Sequence, residues 1–209
     1  MAKWPTGYVT AGVLKERGWT ESLIKRFMPE PCMTIPNRVY RSAPPYRLYR
    51  EGRVADVEAT GLWQQAASVA RDRGARAKRA TETKREALLE TIRRLEIKVP
   101  QIERDELIER ACDSYNSHKL GLYLERGYEY TPASKDSNPQ FLERLMVNYL
   151  RHEMTDYERL LARTYGRVGV RAAYYEIAKK VYDAIARAYP DLFDECDRQL
   201  KKRGKLNGG

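Results

Sequence analysis

The spacing of apolar residues predicts two short helices near the start of the chain. Thr10 and Thr20 stand where helix N-caps are expected, ahead of the segments AGVLKER and ESLIKRFM, and Gly18 and Pro29 follow these segments as stop signals. The apolar positions expected to form the contact between the helices are Leu14, Trp19, Leu23, Ile24 and Phe27. Two short helices joined by the turn GWT are typical of a helix-turn-helix.

A two-stranded wing is predicted directly after these helices. The runs RVY at 38–40 and YRLY at 46–49 are rich in residues that favour strands. The segment RSAPP between them contains two adjacent prolines, which favour a turn. The sequence therefore predicts a small β-hairpin that carries several arginines and tyrosines.

Residues 51–95 contain no proline and have a helical pattern, which Gly61 and Gly74 are expected to weaken locally. Within this region, residues 71–85 contain seven basic and two acidic side chains and almost no large apolar ones. Such a segment cannot pack into a core. It is either a solvated helical connector or an arm that lies along a phosphate backbone.

Beyond Pro100 the pattern is helical throughout. Residues 102–127 predict one helix or two short ones, and YEYTPASKDSNPQ predicts a loop. Asn138 and Pro139 have the order expected of an N-cap and first helical residue. Thr155 and Glu158 predict a capping box, and the helix that follows is expected to stop at residue 166.

The end of the chain has a clear apolar face. In residues 168–189 the apolar positions recur at spacings of three and four, namely Tyr174, Ala178, Val181, Ile185 and Ala188. Pro190 is expected to start a last helix that runs to residue 204, followed by a flexible tail, KLNGG, at 205–209.

These patterns predict a mainly α fold with four parts. Residues 1–58 form a winged helix-turn-helix with a small β-hairpin, and residues 59–98 form a long basic connecting helix. Residues 99–204 form an all-helical domain for assembly or partner binding, and residues 205–209 form the tail.

The distribution of charge indicates a polyanionic partner for the first half. Residues 1–100 carry 20 Lys and Arg against 11 Asp and Glu, whereas the rest of the chain carries 19 against 18. Such asymmetry favours nucleic acid as the partner of the basic half. No apolar run approaches the roughly 20 residues of a membrane helix, and the first residues lack the apolar core of a signal peptide. We therefore expect a cytoplasmic protein without membrane contact.

The cysteines and histidines do not predict a metal or disulfide framework. The three cysteines, Cys32, Cys112 and Cys196, are far apart, no CxxC spacing occurs, and the chain contains only two histidines. Each cysteine is expected to be a small buried hydrophobe. Neither a metal ion nor another cofactor is predicted.

Residues 8–58 resemble the winged DNA-binding domain of MerR-type regulators. In that family a GYRLY strand closes the wing and a helix with acidic first residues follows, as in YRLYREGRVADVE here. The same region is similar to the DNA-binding domain of the xeroderma pigmentosum group A repair factors. Both resemblances imply that the second helix enters the major groove of double-stranded DNA and that the wing lies near phosphates.

The resemblance implies a set of DNA-contact residues. The set on the second helix is Thr20, Glu21, Ser22, Lys25 and Arg26. On the wing it is Arg38, Tyr40, Arg41, Tyr46, Arg47, Tyr49 and Arg50, with the tyrosines partly packing the wing onto the helices and partly contacting sugar or phosphate. If the basic segment lies along DNA, Arg76, Lys78 and Arg79 join the set.

Two alternatives to these DNA contacts stay open. The wing could bind a protein, or it could be a solvated hairpin whose arginines pair with Glu30 and Glu51. Glu21 has two interpretations as well: it reads a cytosine edge, or it stabilises the N-terminus of the second helix through its charge.

The second half offers a weaker, enzymatic hypothesis. An Arg and a His on one helical face are similar to the catalytic pair of all-helical HEPN-type ribonucleases, in which four to six residues separate the two. Here seven residues separate Arg144 from His152, and seven separate Arg110 from His118. The sequence HE also lacks the second histidine of HExxH. We therefore predict no catalytic residues and expect this Tyr-rich half to form a homodimer, hold a protein partner or sense a ligand.

Overall fold

The computed structural model describes residues 4–37 and 42–207, with side chains as far as residue 204. The described chain is mainly helical and contains a small three-stranded antiparallel sheet. It divides into two compact units, Met1–Ala80 and Thr81–Gly209, which we call the N-terminal and C-terminal units. No helix of the described part is both long and apolar enough to cross a membrane.

The N-terminal unit begins with strand β1, Tyr8–Thr10, and two short helices, α1 at Ala11–Glu16 and α2 at Glu21–Phe27. Strands β2, Met33–Ile35, and β3, Tyr46–Arg50, follow. Helix α3, Glu51–Glu58, comes next, and helix α4, Gly61–Arg93, starts in this unit.

Strand β3 is the centre of the sheet, whose order is β1-β3-β2. Val9 of β1 is opposite Tyr49, and Thr34 of β2 is opposite Arg47. The strand predicted at YRLY is confirmed. The run RVY predicted as its partner lies at 38–40, outside the described residues, and the described strands that pair with β3 are Tyr8–Thr10 and Met33–Ile35. Strand β1 was not predicted, because three residues ahead of a helix carry no readable alternation.

The two predicted N-caps are confirmed. The hydroxyl of Thr10 accepts a hydrogen bond from the Val13 N–H, and that of Thr20 accepts one from the Leu23 N–H, each at 3.3 Å. These bonds satisfy N–H groups that have no partner within the first turn of a helix. The caps therefore fix where α1 and α2 begin.

The predicted contact between the first helices is also present. Leu14, Trp19, Leu23 and Ile24 are buried with Val9, Met28, Tyr49 and Val54, and Phe27 packs against them half-buried. The Trp19 indole N–H donates to Glu58 Oε1 of α3 at 2.8 Å, and its ring lies 5.3 Å from that of Trp63 in α4. Trp19 thus joins α1 and α2 to the helices that follow the sheet.

The helical pattern predicted over 51–95 forms two helices. Helix α3 ends at Glu58 and α4 begins at Gly61, because the Thr60 hydroxyl accepts from the Trp63 N–H at 3.3 Å and starts a new helix. The break lies next to Gly61, one of the two glycines expected to weaken the pattern. Gly74 does not interrupt α4.

The C-terminal unit contains the end of α4 and five further helices among its described residues. They are α5 at Arg104–Arg126, α6 at Pro139–Glu153, α7 at Tyr157–Thr164, α8 at Val170–Ala188 and α9 at Phe193–Asn207, with a short 3₁₀ turn at Pro190–Leu192. Its core includes Leu107, Met146, Leu150, Ile177, Val181 and Tyr182. Helix α8 supplies the predicted apolar face.

Most boundaries predicted in this unit are confirmed, with two corrections. Asn138 caps α6 by accepting from the Gln140 N–H at 3.0 Å. The capping box at 155–158 is absent, because the N-cap is Asp156 and the Glu158 carboxylate contacts His152 instead. Helix α9 continues to Asn207, into the segment predicted to be a tail. Cys32 is exposed, although Cys112 and Cys196 are buried as expected.

Candidate nucleic-acid interface

The two sides of helix α2 differ in polarity. Leu23 and Ile24 are buried in the core of the N-terminal unit, whereas Glu21, Lys25 and Arg26 are exposed. Lys25 has no ion-pair or hydrogen-bond partner among the described residues, and Arg26 lies 5.1 Å from the centre of the Phe27 ring. The exposed side of α2 therefore presents two cations that are not neutralised by carboxylates.

The hydroxyl groups at the start of α2 serve the helix itself. Thr20 caps the helix, and its hydroxyl lies 2.9 Å from that of Ser22. Both side chains are exposed, but each hydroxyl already takes part in a hydrogen bond. They are consequently weaker candidates for base contacts than the lysine and arginine one turn later.

Glu21 connects α2 to both neighbouring elements. Its carboxylate lies 3.4 Å from Lys15 Nζ of α1 and 4.0 Å from Arg47 Nη1 of β3. All three side chains are about half exposed. The contacts place the central strand's arginine beside the first turn of the exposed helix, and they agree with the interpretation of Glu21 as a charge that supports the helix N-terminus.

The other edge of α2 borders a groove shared with α4. The groove has a volume of about 300 Å³ and is lined by Ser22 and Arg26 of α2 and by Leu62, Val69 and Arg73 of α4, among others. Leu62 and Val69 are exposed apolar side chains. Arg26 and Arg73 thus extend the basic surface from α2 onto the first half of α4.

Three residues predicted on β3 have different environments. Tyr46 is half-buried, with its ring 4.8 Å from that of Trp4. Arg50 is exposed, and its Nε donates to the Tyr8 hydroxyl at 3.1 Å, a bond that raises the pKa of Arg50. Tyr49 is fully buried, and burial raises the pKa of its hydroxyl. Tyr49 therefore packs the sheet onto the helices, and its assignment as a DNA-contact residue is withdrawn.

Three of the predicted residues, Arg38, Tyr40 and Arg41, lie outside the described residues. The stretch between β2 and β3 that contains them is where the wing was expected. Their role stays a prediction.

The basic segment of α4 is exposed along its whole length, but its cations do not share a face. Residues 71–87 are all exposed, as expected for a segment that cannot pack into a core. Because successive residues of a helix turn by about 100°, Arg76 and Lys78 point roughly 200° apart and cannot both face one phosphate backbone. Arg76 lies three residues after Arg73 and continues its face, and Arg79 lies a further three residues on, at the edge of that face. Lys78 points to the other side of the helix.

Two exposed cations of this surface were missed in the sequence. Lys15 contacts Glu21, and Arg73 lines the groove beside α2. Arg73 belongs to the basic segment of α4. Identifying it as part of the surface beside α2 requires knowing which face of α4 lies next to α2. A local sequence signal exists for this face, since Leu62, Ala66, Val69 and Arg73 follow the three-four spacing of one helical side.

The arginine and histidine of the ribonuclease hypothesis are not brought together. Arg144 lies over the Phe141 ring at 5.0 Å, while His152 contacts Arg151 and Glu158. The Nε2 atom of His152 accepts from Arg151 Nε at 3.2 Å, so it is not free to take a proton from a substrate. No group of three or more His, Cys, Asp or Glu side chains that could hold a metal occurs within the described part of the chain.

Comparison of the whole chain with protein-family models, with curated proteins and with solved structures gives no match.

Proposed function

We propose that the N-terminal unit is a winged helix-turn-helix that binds double-stranded DNA. In this proposal α2 enters the major groove and the β2–β3 hairpin is the wing. The order β1-α1-α2-β2-β3-α3 supports it, since the exposed helix is followed at once by the hairpin. A helix fits the major groove, and exposed cations beside it can contact the phosphates on either side.

The observation that carries the proposal is the contact between Arg47 of β3 and Glu21 of α2 at 4.0 Å. It joins the cations of the hairpin and those of the helix in a single surface, where Lys25 and Arg26 are exposed and lack carboxylate partners among the described residues. The unit as a whole carries 15 Lys and Arg against 7 Asp and Glu in residues 1–80. A surface of this kind attracts a polyanion and releases its counterions on binding.

The same surface supports the proposed resemblance to MerR-type regulators and to the xeroderma pigmentosum group A repair factors. Both resemblances concern residues 8–58, and the first of them rests on a helix followed by a wing. DNA binding can be tested without knowing the target sequence, because phosphate contacts alone give measurable binding.

Association through the C-terminal unit stays a prediction. The exposed side chains of Leu120, Tyr123 and Leu124 on α5 are the surface to examine for it.

The proposal is tested by measuring the affinity of the full chain for a DNA duplex as the salt concentration rises. Non-specific binding of this type has a dissociation constant of about 10⁻⁴ to 10⁻⁶ M at physiological salt and weakens linearly on logarithmic axes. The double substitution Lys25→Ala and Arg47→Ala is expected to lower the slope by about 0.9 for each phosphate that the variant no longer neutralises.

A matched control is the pair Arg171→Ala and Lys202→Ala in the C-terminal unit. Both side chains are exposed, and neither has a partner among the described residues. The control has the same change in net charge and is expected to keep the slope of the unmodified protein. Equal slopes for the two double variants, or no binding at low salt, would contradict the proposal.

A further inference from the structure

The C-terminal unit contains a cavity between α5 and α6 that includes both histidines of the chain. Its volume is about 540 Å³, within the range of pockets that hold small molecules. Six of its polar lining residues lie at matching positions on the two helices: Ser114, Tyr115 and His118 on α5, and Asn148, Tyr149 and His152 on α6.

The two helices line the cavity with the same residue pattern. Residues 110–118 read RACDSYNSH and residues 144–152 read RLMVNYLRH, which share Arg, then Ser or Asn, then Tyr and His at identical spacings. The lining positions recur at intervals of three and four, so each helix offers one continuous face. The shared pattern is confined to these two segments. It bears on the cavity because both matching faces line it.

The helices run in opposite directions along the cavity. Tyr149 raises the pKa of Arg110 through a side-chain hydrogen bond, and the Tyr115 ring lies 5.4 Å from that of Phe141. A step forward along α5 therefore corresponds to a step backward along α6. The two matching faces meet in antiparallel fashion and place the histidines toward opposite ends of the cavity.

Arg151 supplies a buried positive charge to the lining. Only 7% of the residue is exposed, and its guanidinium lies 5.3 Å from the centre of the Tyr157 ring and 5.6 Å from that of Tyr182. Its hydrogen bonds go to the Tyr182 hydroxyl, to Asn148 Oδ1 at 3.4 Å and to His152. Among the described residues no carboxylate lies within ion-pair distance of it, although buried charges are normally paired.

The rim of the cavity is acidic. Glu153 and Glu158 line it and are exposed. The Nδ1 atom of His152 lies 2.6 Å from Glu158 Oε1, and its Nε2 atom lies 2.5 Å from Arg151 Nη2. Since Arg151 can only donate, Nε2 accepts and Nδ1–H donates to Glu158. A neutral imidazole thus separates the buried cation from the nearer rim carboxylate.

We propose that this cavity binds a small zwitterionic molecule. The anionic group of the ligand contacts Arg151, whose planar guanidinium suits a carboxylate or phosphate oxygen. Its ammonium group lies at the rim between Glu153 and Glu158. The rings of Tyr115 and Tyr149 contact the body of the ligand, and an aromatic face also favours a neighbouring ammonium. A purely anionic ligand would meet the rim carboxylates, and a purely cationic one would meet Arg151.

The residues involved all belong to the C-terminal unit, so the inference does not depend on DNA binding. It gives that unit a ligand-binding role with a defined chemistry. Failure of the DNA experiments would leave it intact.

The two histidines make the site directly observable. Because the chain contains no other histidine, the imidazole signals in the proton NMR spectrum of the full chain come from His118 and His152 alone, and His118→Gln and His152→Gln assign them. The probes are glycine, β-alanine and γ-aminobutyrate, which vary the distance between the two charges. Acetate, methylammonium and inorganic phosphate at equal ionic strength are the single-charge comparisons.

At least one of the zwitterions is expected to move the His152 signal with a saturable dependence on concentration, since Arg151 and Glu158 both contact this ring. Glu153→Gln is expected to weaken that binding by roughly two- to five-fold, as for a partly exposed charge pair. Glu109→Gln is the matched control, since it is an exposed glutamate on α5 outside the cavity. The Glu109→Gln variant should bind the zwitterion with the affinity of the unmodified protein.

Three outcomes would overturn the proposal. One is that no zwitterion produces a saturable shift. A second is that acetate, phosphate or methylammonium shifts the signals as strongly as the zwitterions do. The third is that Glu153→Gln and Glu109→Gln bind the zwitterion equally well. Both substitutions are at exposed positions, so loss of the fold does not confuse the comparison.

Discussion

The two units use arginine in opposite ways. In the N-terminal unit Arg26, Arg47 and Arg73 are exposed, and the closest carboxylate contact among them is the 4.0 Å approach of Arg47 to Glu21. In the C-terminal unit Arg151 is buried between two tyrosine rings and donates to three neutral side chains. The same residue type faces solvent in one unit and lines an interior cavity in the other.

The difference between exposed and buried arginines separates two roles of a positive charge in this protein. Exposed cations contribute little to stability, because water already solvates them, and so they are free to meet phosphates. A buried cation that hydrogen-bonds several groups cannot be removed without leaving those groups unsatisfied. Net charge identifies the N-terminal unit as basic, but only burial separates arginines on the open surface from an arginine that a network of interior contacts holds in place.

The largest expected contrast between the units is in thiol reactivity. Cys32 is exposed, and the Arg50 backbone N–H at 3.5 Å lowers the pKa of its thiol. Cys196 is buried, and loss of solvation raises its pKa to about 12. Because the thiolate is the reactive form, iodoacetamide at neutral pH should modify Cys32 at least about 100-fold faster than Cys196. Mass spectrometry of timed digests measures both rates, and unfolding in urea should make them similar.

The next contrast concerns stability. Arg151→Ala removes the donor to Tyr182, Asn148 and His152 and should lower the free energy of unfolding of the C-terminal unit by about 2 to 4 kcal/mol. Lys25→Ala, at an exposed position without a partner among the described residues, should change stability by less than about 0.5 kcal/mol. Urea unfolding followed by circular dichroism measures both.

Tryptophan fluorescence provides an internal control for this experiment. All three tryptophans, Trp4, Trp19 and Trp63, belong to the N-terminal unit. Arg151→Ala should therefore shift the dichroism transition and leave the fluorescence transition in place if the units unfold separately. A stability loss as small as that of Lys25→Ala would show that Arg151 is not held by the network described.

The elements that local signals define could be predicted from the sequence. Thr10, Thr20 and Asn138 cap their helices as expected, because a capping side chain acts on backbone groups two or three residues away. The strand YRLYR was predicted from its own composition. The exposed side of α2 followed from the spacing of Leu23 and Ile24.

The features that the sequence did not predict depend on contacts between distant parts of the chain. The partner strand Met33–Ile35 is defined by its pairing with β3, and the burial of Tyr49 by the helices that cover the sheet. Arg151 follows the apolar Leu150 and precedes His152, so nothing in the local sequence marks it as buried. The shared cavity of His118 and His152 likewise requires that α5 and α6 pack side by side.

A smaller effect would sharpen the outline of the basic surface. Arg73 lines the groove beside α2, whereas Lys78 points to another side of α4. Arg73→Ala should lower the salt slope of duplex binding by about 0.9, the value expected when one phosphate is left without its cation, and Lys78→Ala should leave the slope unchanged. The two variants have equal net charge, so a common decrease in slope would show that charge alone, rather than the α2–α4 face, determines binding.

The smallest expected effect is a pH dependence specific to the C-terminal unit. Burial, followed by the charge of Arg151, lowers the pKa of His152 below its usual 6.5, although Glu158 opposes the shift. The unfolded chain therefore binds a proton at His152 more readily than the folded one, and stability falls as the pH drops through about 6.5, levelling off below the folded pKa. Above that window the stabilising contribution of the neutral His152 ring is fully present.

The effect on stability is small because 39% of the His152 side chain is exposed. His152→Gln keeps an acceptor for Arg151 and should flatten this dependence between about pH 7 and pH 5 relative to the unmodified protein, as urea unfolding measures. Identical pH profiles for this variant and the unmodified protein would show that the Arg151–His152–Glu158 contacts do not control the titration.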